Sequence, residues 1–117
     1  MNKERRKAHR KGFWSEWIAA IFLFFKGYRI VAMRYRTKLG EIDIIARKRD
    51  LVAIVEVKAR DDVMTAVNAV SNDSKRRISN AADLWLSKQK DYGRLSIRFD
   101  IIAVCPRTMP VHLKDAF

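Results

Sequence analysis

Two short segments carry most of the chemistry this sequence could perform. Gly40-Glu41-Ile42-Asp43-Ile44-Ile45-Ala46 is followed, after a polar gap, by Val55-Glu56-Val57-Lys58. Both set acids among β-branched residues, which is a strand pattern. Side chains two apart on a strand share a face, so Glu41 goes with Asp43 and Glu56 goes with Lys58. The register of the hairpin decides whether these are the same face. A two-residue turn at Arg49-Asp50 pairs Lys48 with Leu51, sets Asp43 opposite Glu56 and sets Glu41 opposite Lys58. A four-residue loop over 47–50 sets Glu41 opposite Glu56, with Asp43 diagonal to it. In both registers Asp43, Glu56 and Lys58 converge; an odd-length loop without a bulge would divide them.

Carboxylates placed opposite each other repel, and burial adds a desolvation cost, so the pattern calls for a cation between them. Oxygen ligands without histidine or thiolate favour Mg²⁺ or Mn²⁺, and magnesium needs only one or two carboxylates beside water and phosphate oxygens. Asp43 and Glu56 are the expected ligands, with the backbone carbonyl of Val57 as an additional one. Lys58 is expected to stabilise charge that develops on a reacting phosphate rather than to act as a base, since an ordinary lysine is protonated at neutral pH. The plainer structural reading of Glu56 and Lys58 is an exposed strand face with a cross-strand ion pair to Glu41.

The elements that must hold these residues are legible in outline. Residues 13–26 read as a helix, with Trp14, Trp17, Ile18, Ile21, Leu23, Phe24 and Phe25 at helical spacing and Gly27 as the stop. Glu16, in its first turns, complements the helix dipole. Residues 28–36 suit a strand carrying Arg29, Arg34 and Arg36. Strands follow over Glu41 to Arg47 and Leu51 to Lys58. Residues 63–70 read as a short helical or irregular piece, and a longer helix runs from Asp73 or Ser74 to Lys90. A strand over Leu95 to Val104 ends at Pro106, and Met109 to Leu113 reads as a short edge strand. This order predicts an α/β domain with a mixed central sheet flanked by helices.

The chain has 117 residues, with 25 Lys plus Arg against 13 Asp plus Glu and a net charge of +12. That length suits a single domain over 12–117. Residues 1–11, with Lys3, Arg5, Arg6, Lys7, Arg10 and Lys11, read as a basic flexible arm. One cysteine, Cys105, excludes a disulfide framework within the chain, and His9 and His112 are too far apart for a two-histidine metal motif. The longest apolar run, Trp17 to Phe25, is nine residues, less than half a membrane span. Lys26-Gly27-Tyr28-Arg29 follows it in place of a small-residue cleavage site, so the expectation is a cytoplasmic protein without a membrane role. Excess positive charge on so small a domain predicts an anionic polymer, nucleic acid, as partner. Arg36, Lys38 and Arg60 flank the carboxylates and are expected to guide a strand toward them. Lys75 and Arg76 open the long helix, where two of Lys75, Arg76 and Arg77 are expected to face solvent and hold a phosphate backbone. Arg98 and Asp100 read as a structural ion pair, Trp14, Trp17 and Trp85 as core or interface anchors, and His112 and Cys105 have no partner pattern.

The arrangement of Asp43 followed by Glu56-Val57-Lys58 resembles the PD-(D/E)xK nuclease core, although Ile42 stands where that motif has proline. More closely, the chain resembles the YraN-like (UPF0102) proteins, which are similar to archaeal Holliday junction resolvases. The resemblance covers about Gly12 to Val104. It is carried by Ser15-Glu16, Lys26-Gly27-Tyr28, the 40–46 and 55–58 segments, Ala81-Ala82 and Arg98-Phe99-Asp100. It implies a restriction-endonuclease-like fold and metal-dependent phosphodiester hydrolysis. In the resolvases a glutamate of the first helix joins the metal site, and Glu16 matches it. The expectation is therefore a Mg²⁺- or Mn²⁺-dependent endonuclease acting on DNA, including branched or junction DNA, with Asp43, Glu56, Lys58 and Glu16 as its catalytic residues. Symmetric cutting needs two sites, which is compatible with a homodimer. The alternative readings are a non-catalytic nucleic-acid-binding module of the same fold, and a structural partner in a DNA-processing or ribosome-associated complex.

Overall fold

The computed structural model describes the backbone from Lys3 to Phe117 and the side chains from Gly12 onward. Of the expected basic arm, Met1 and Asn2 and the side chains through Lys11 lie outside the described residues. The elements are α1 (Lys3–Phe25), β1 (Arg29–Arg36), β2 (Glu41–Lys48), β3 (Leu51–Ala59), α2 (Val63–Asn68), α3 (Asn72–Ser87), a 3-10 turn over Tyr92–Arg94, β4 (Ser96–Val104) and β5 (Val111–Leu113). Helix α1 starts at Lys3, ahead of the expected start at Phe13. Its first turns are mostly straight-chain charged residues with one alanine and one histidine, a sequence that favours helix but carries no apolar stripe for a periodicity argument to find.

The five strands form one mixed sheet in the order β1-β2-β3-β4-β5. All neighbours are antiparallel except β3 and β4, whose parallel pairing uses α2 and α3 as the crossover. Helix α1 lies on one face, where Ala19, Ala20 and Leu23 pack on Ile44, Ala46, Ala53 and Val55. Helix α3 lies on the other, where Ile78, Ala81, Ala82 and Trp85 pack on Ile42, Ile45, Val52 and Ile54. β3 is covered on both faces and reads as a nearly continuous apolar run, as a central strand should. The mixed α/β architecture expected from the element order is present, and it is consistent with a restriction-endonuclease-like arrangement. No helix among the described residues is long and apolar enough to cross a membrane.

Three local devices set the geometry of the site. Gly27, at φ 95°, ends α1: Tyr28 N–H donates to the Leu23 carbonyl and Gly27 N–H to that of Phe24, the two bonds of a Schellman cap. The β2–β3 hairpin closes through the two-residue turn Arg49-Asp50, with Lys48 paired to Leu51 and Arg49 at φ 58°. Between β1 and β2, Thr37 organises the return by accepting the N–H groups of Leu39 and Gly40 and donating its hydroxyl to the Gly40 carbonyl. Gly40 is needed there for close approach, because a Cβ on it would stand 2.2 Å from the Arg77 carbonyl oxygen of α3.

Candidate functional site

The strict alternation of side chains fails twice along β1, at a bulge between Ile30 and Ala32 and again at the level of the carboxylates. On β1, Met33 packs with the α1 cluster and Tyr35 with the α3 cluster, although they are two residues apart. On β2, Ile44 and Ile42 divide in the same way. Between them lie Arg34, at φ 53°, and Asp43. A non-glycine residue in this left-handed region carries strain of about 1–3 kcal/mol. The inversion turns Arg34 toward α1, where its Nε donates to Glu16 Oε2 at 2.6 Å.

The β2–β3 ladder ends at the Ile44–Val55 pair, one step short of the Asp43–Glu56 pairing that the turn register anticipates. Asp43 instead reaches across with its carboxylate, and Val57 N–H donates to Asp43 Oδ2 at 2.8 Å. The parting of the strands opens clefts on both sides of the sheet. On the α1 side, a cleft of about 460 Å³ is lined by Gly12, Ser15, Glu16, Asp43, Glu56, Lys58 and Arg60 among others. On the α3 side, a cleft of about 250 Å³ is lined by Glu41, Asp43, Glu56, Ser74, Arg77 and Ile78. Asp43 and Glu56 border both.

The electrostatics follow from this crowding. Glu56 is buried, and burial is the largest cause that pushes its carboxyl far above the usual carboxylate range; hydrogen bonding with Asp43 and its charge push the same way, against the pull of Lys58. Glu16 is also raised, first by burial, with Arg34 opposing and the Asp43 charge adding to the rise. Asp43 thus links a carboxylate from α1 to one from β3. Among the described residues, no group of three or more His, Cys, Asp and Glu side chains stands ready to hold a metal ion. The donor set nevertheless suits a hard cation: two oxygen-only carboxylates, crowded and partly desolvated, at the mouth of two clefts open to water and phosphate.

The structure brings Glu16, Asp43, Glu56, Val57, Lys58 and Arg60 to one cleft. The Glu41–Lys58 ion pair of the plainer reading is not formed; Glu41 pairs with Arg36 across β1 and β2 instead, Arg36 Nε to Glu41 Oε1 at 3.2 Å. Lys38 is exposed in the β1–β2 turn. At the start of α3, Arg76 and Arg77 are exposed, Arg76 pairs with Asp73, and Lys75 lies over the Phe117 ring. Arg77 and Ser74 line the α3-side cleft; Arg77 is one of the three helix-opening cations expected to hold a phosphate backbone, and Ser74 is not. Arg34 was also missed as a site residue. Three arginines on β1 were its only signal, because its contact with Glu16 depends on the local inversion of the strand.

A second polar cluster is built around Asp100, which is fully buried. Arg98 donates to both of its oxygens at 2.8 and 2.7 Å and to the Tyr28 hydroxyl at 2.8 Å. Asp115 N–H donates at 3.0 Å. Lys26 Nζ lies 2.7 Å from His112 Nδ1; an ammonium only donates, so Nδ1 accepts and the Nε2–H is directed at Asp100 Oδ2, 2.8 Å away. The expected Arg98–Asp100 pair is present, and His112 has partners that its sequence context does not reveal.

An α/β domain of this topology, with a carboxylate cleft where its central strands part, is the frame in which the relatives fall. Residues 15–104 match Uncharacterised protein family UPF0102. The chain is 60% identical over 116 residues to UPF0102 protein Atu0303 of Agrobacterium fabrum, covering 99% of this chain and 95% of that one. It is 61% identical over 111 residues to UPF0102 protein R00337 of Rhizobium meliloti, covering 95% and 91% respectively. The chain belongs to the UPF0102 family, as the sequence resemblance anticipated.

Proposed function

We propose that this protein is a divalent-cation-dependent endonuclease that hydrolyses phosphodiester bonds in DNA, including branched or junction DNA. The observation that carries this reading is the Asp43–Glu56 pair, two carboxylates crowded where β2 and β3 part, with Lys58 in the same cleft. Asp43 and Glu56 would hold Mg²⁺ or Mn²⁺, with Glu16 close by and the Val57 carbonyl as a further oxygen donor. When bound, the cation supplies charge neutralisation and activation of water for attack on phosphorus.

The remaining work falls to side chains of this chain. Val57 N–H fixes one Asp43 oxygen and so orients the carboxylate. Arg34 holds Glu16 in place and limits the repulsion between Glu16 and Asp43. The Lys58 ammonium stabilises the extra negative charge of the phosphorane-like transition state. Arg60 on one side and Arg77 on the other position the phosphate backbone over the carboxylates.

The non-catalytic binding module is the second reading. It is favoured by the Arg34–Glu16 ion pair, which supplies a cation to the acidic cluster without any metal. Cleavage of linear, flapped and four-way DNA and of structured RNA, with and without Mg²⁺ or Mn²⁺, separates the two. The nuclease reading predicts metal-dependent cleavage of DNA that Lys58→Ala slows by about 100-fold or more in single turnover. The same variant should lose only one phosphate contact's worth of affinity. Binding without cleavage of any substrate would favour the module, and cleavage by Lys58→Ala at the wild-type rate would remove Lys58 from the chemistry.

A further inference from the structure

The outer face of α1 is built the wrong way round for a helix that lies on a monomer's surface. Its inner face is made of small residues, with Ser15, Ala19 and Ala20 buried alongside Leu23. Its large residues point outward: Trp14 is 64% exposed, Trp17 45%, Ile18 43%, Ile21 53%, Phe24 65% and Phe25 81%. Isolated exposed apolar residues are ordinary, but a contiguous patch of this kind marks an interaction surface.

Its occupant can be argued from spacing, shape, area and charge. Trp14, Ile18, Ile21 and Phe25 follow one another at intervals of four, three and four, the seam that packs against another helix, with Trp17 and Phe24 beside it. Next to this ridge runs an apolar groove of about 440 Å³, walled by Ile18, Ile21, Phe22 and Phe25 on α1 and by Met109 and Pro110 from the β4–β5 connection. A ridge and a groove side by side on one face are what a self-complementary contact requires, each copy's ridge filling the other's groove. At about 200 Å² for each large side chain, the six ridge residues expose about 700 Å², and the groove walls bring the face to the about 800 Å² per partner of a stable interface. Among the described residues lining the groove, Lys26 is the one that carries a charge.

We propose that this face is a homodimer interface, in which α1 of one copy packs against α1 of a second. The proposal does not depend on nuclease activity. It predicts that the full chain, freed of nucleic acid, has twice its 13.7 kDa mass by light scattering and sedimentation at micromolar concentration. The mass should persist at about 0.5 M salt, where the Debye length falls below about 5 Å and association bridged by polyanions is lost. Ile21→Lys and Phe24→Lys place like charges at the seam and should weaken the dimer by at least about 30-fold. Their circular dichroism should be unchanged, because both side chains are exposed in the single chain. Dissociation of the wild type on dilution, followed by tryptophan emission, gives the same constant without any variant.

A wild type that stays monomeric throughout the micromolar range overturns the proposal. So do Lys variants that remain dimeric. A monomeric wild type that binds phosphatidylglycerol vesicles would assign the face to a membrane surface instead, and the Lys variants would then keep or gain vesicle affinity.

Discussion

Asp100 shows how much a single buried carboxylate governs here. Burial alone would push its carboxyl up, but the hydrogen bonds from Arg98, His112 and the Asp115 backbone outweigh that and hold it at about 2, below the ordinary 3.8. Its stabilising contribution is therefore complete above about pH 4 and is lost as pH falls through about 2, some 2–3 kcal/mol in all. Asp100→Asn should remove this acid slope. At neutral pH it should also cost about 3–5 kcal/mol, because Arg98 would be left as a partly buried cation without its counter-ion. Denaturant titrations of both proteins from pH 2 to pH 7 test this, and parallel pH profiles would contradict it. At this scale the sequence was readable where partners were close: Arg98 and Asp100 alternate on one strand. It was silent on Lys26, His112 and Tyr28, which reach the same cluster only after the chain has crossed the sheet. The contact between Arg34 and Glu16 was hidden for a related reason, since β1 is bulged between Ile30 and Ala32 and inverted at Arg34, so alternation does not give the face of Arg34.

Elements were read well where one period ruled. The β2–β3 hairpin and the helix stop at Gly27 follow from alternation and capping, while the choice between a two-residue turn and a four-residue loop comes from the observed pairing of Lys48 with Leu51. Two features escaped those rules. The first turns of α1 lack an apolar stripe, and the matched inversion at Arg34 and Asp43 breaks the period on which strand reasoning depends. That inversion, with the early end of the β2–β3 ladder, lets one carboxylate border clefts on both sides of the sheet. The placement of α3 over one of those clefts rests on Gly40, where the β1–β2 return meets the Arg77 backbone. Gly40→Ala puts a methyl against a carbonyl oxygen that belongs to a packed helix and has little room to yield. The expected loss is about 1–3 kcal/mol of stability. In a domain of this size that corresponds to about 4 °C of Tm per kcal/mol. Thermal unfolding reads it directly; an unchanged Tm would mean that α3 can retreat freely from the turn.

Over the whole molecule positive charge is in excess, while four of the 13 acids, Glu16, Glu41, Asp43 and Glu56, line the two clefts. Exposed cations border both clefts, Arg60 on the α1 side and Arg77 on the α3 side, and Arg36 pairs with Glu41 beside the latter. DNA affinity should therefore fall steeply with salt, and each phosphate contact removed should reduce the log–log slope by about one. Arg77→Ala should lower that slope more than Arg76→Ala, because Arg76 already pairs with Asp73. Equal slopes for the two variants would mean that the α3-side cleft is not where the backbone lies. The central claim, that Asp43 and Glu56 together form a divalent-cation site, is tested most directly by calorimetric titration of Mn²⁺ into the wild type, Asp43→Asn and Glu56→Gln. One site should appear in the wild type and be lost or greatly weakened in both variants. Each variant should keep its thermal stability without metal, because burial and Asp43 already hold the Glu56 carboxyl protonated near neutral pH and an amide in either place can keep the hydrogen bond between the two side chains. Equal Mn²⁺ binding by all three proteins would contradict the account.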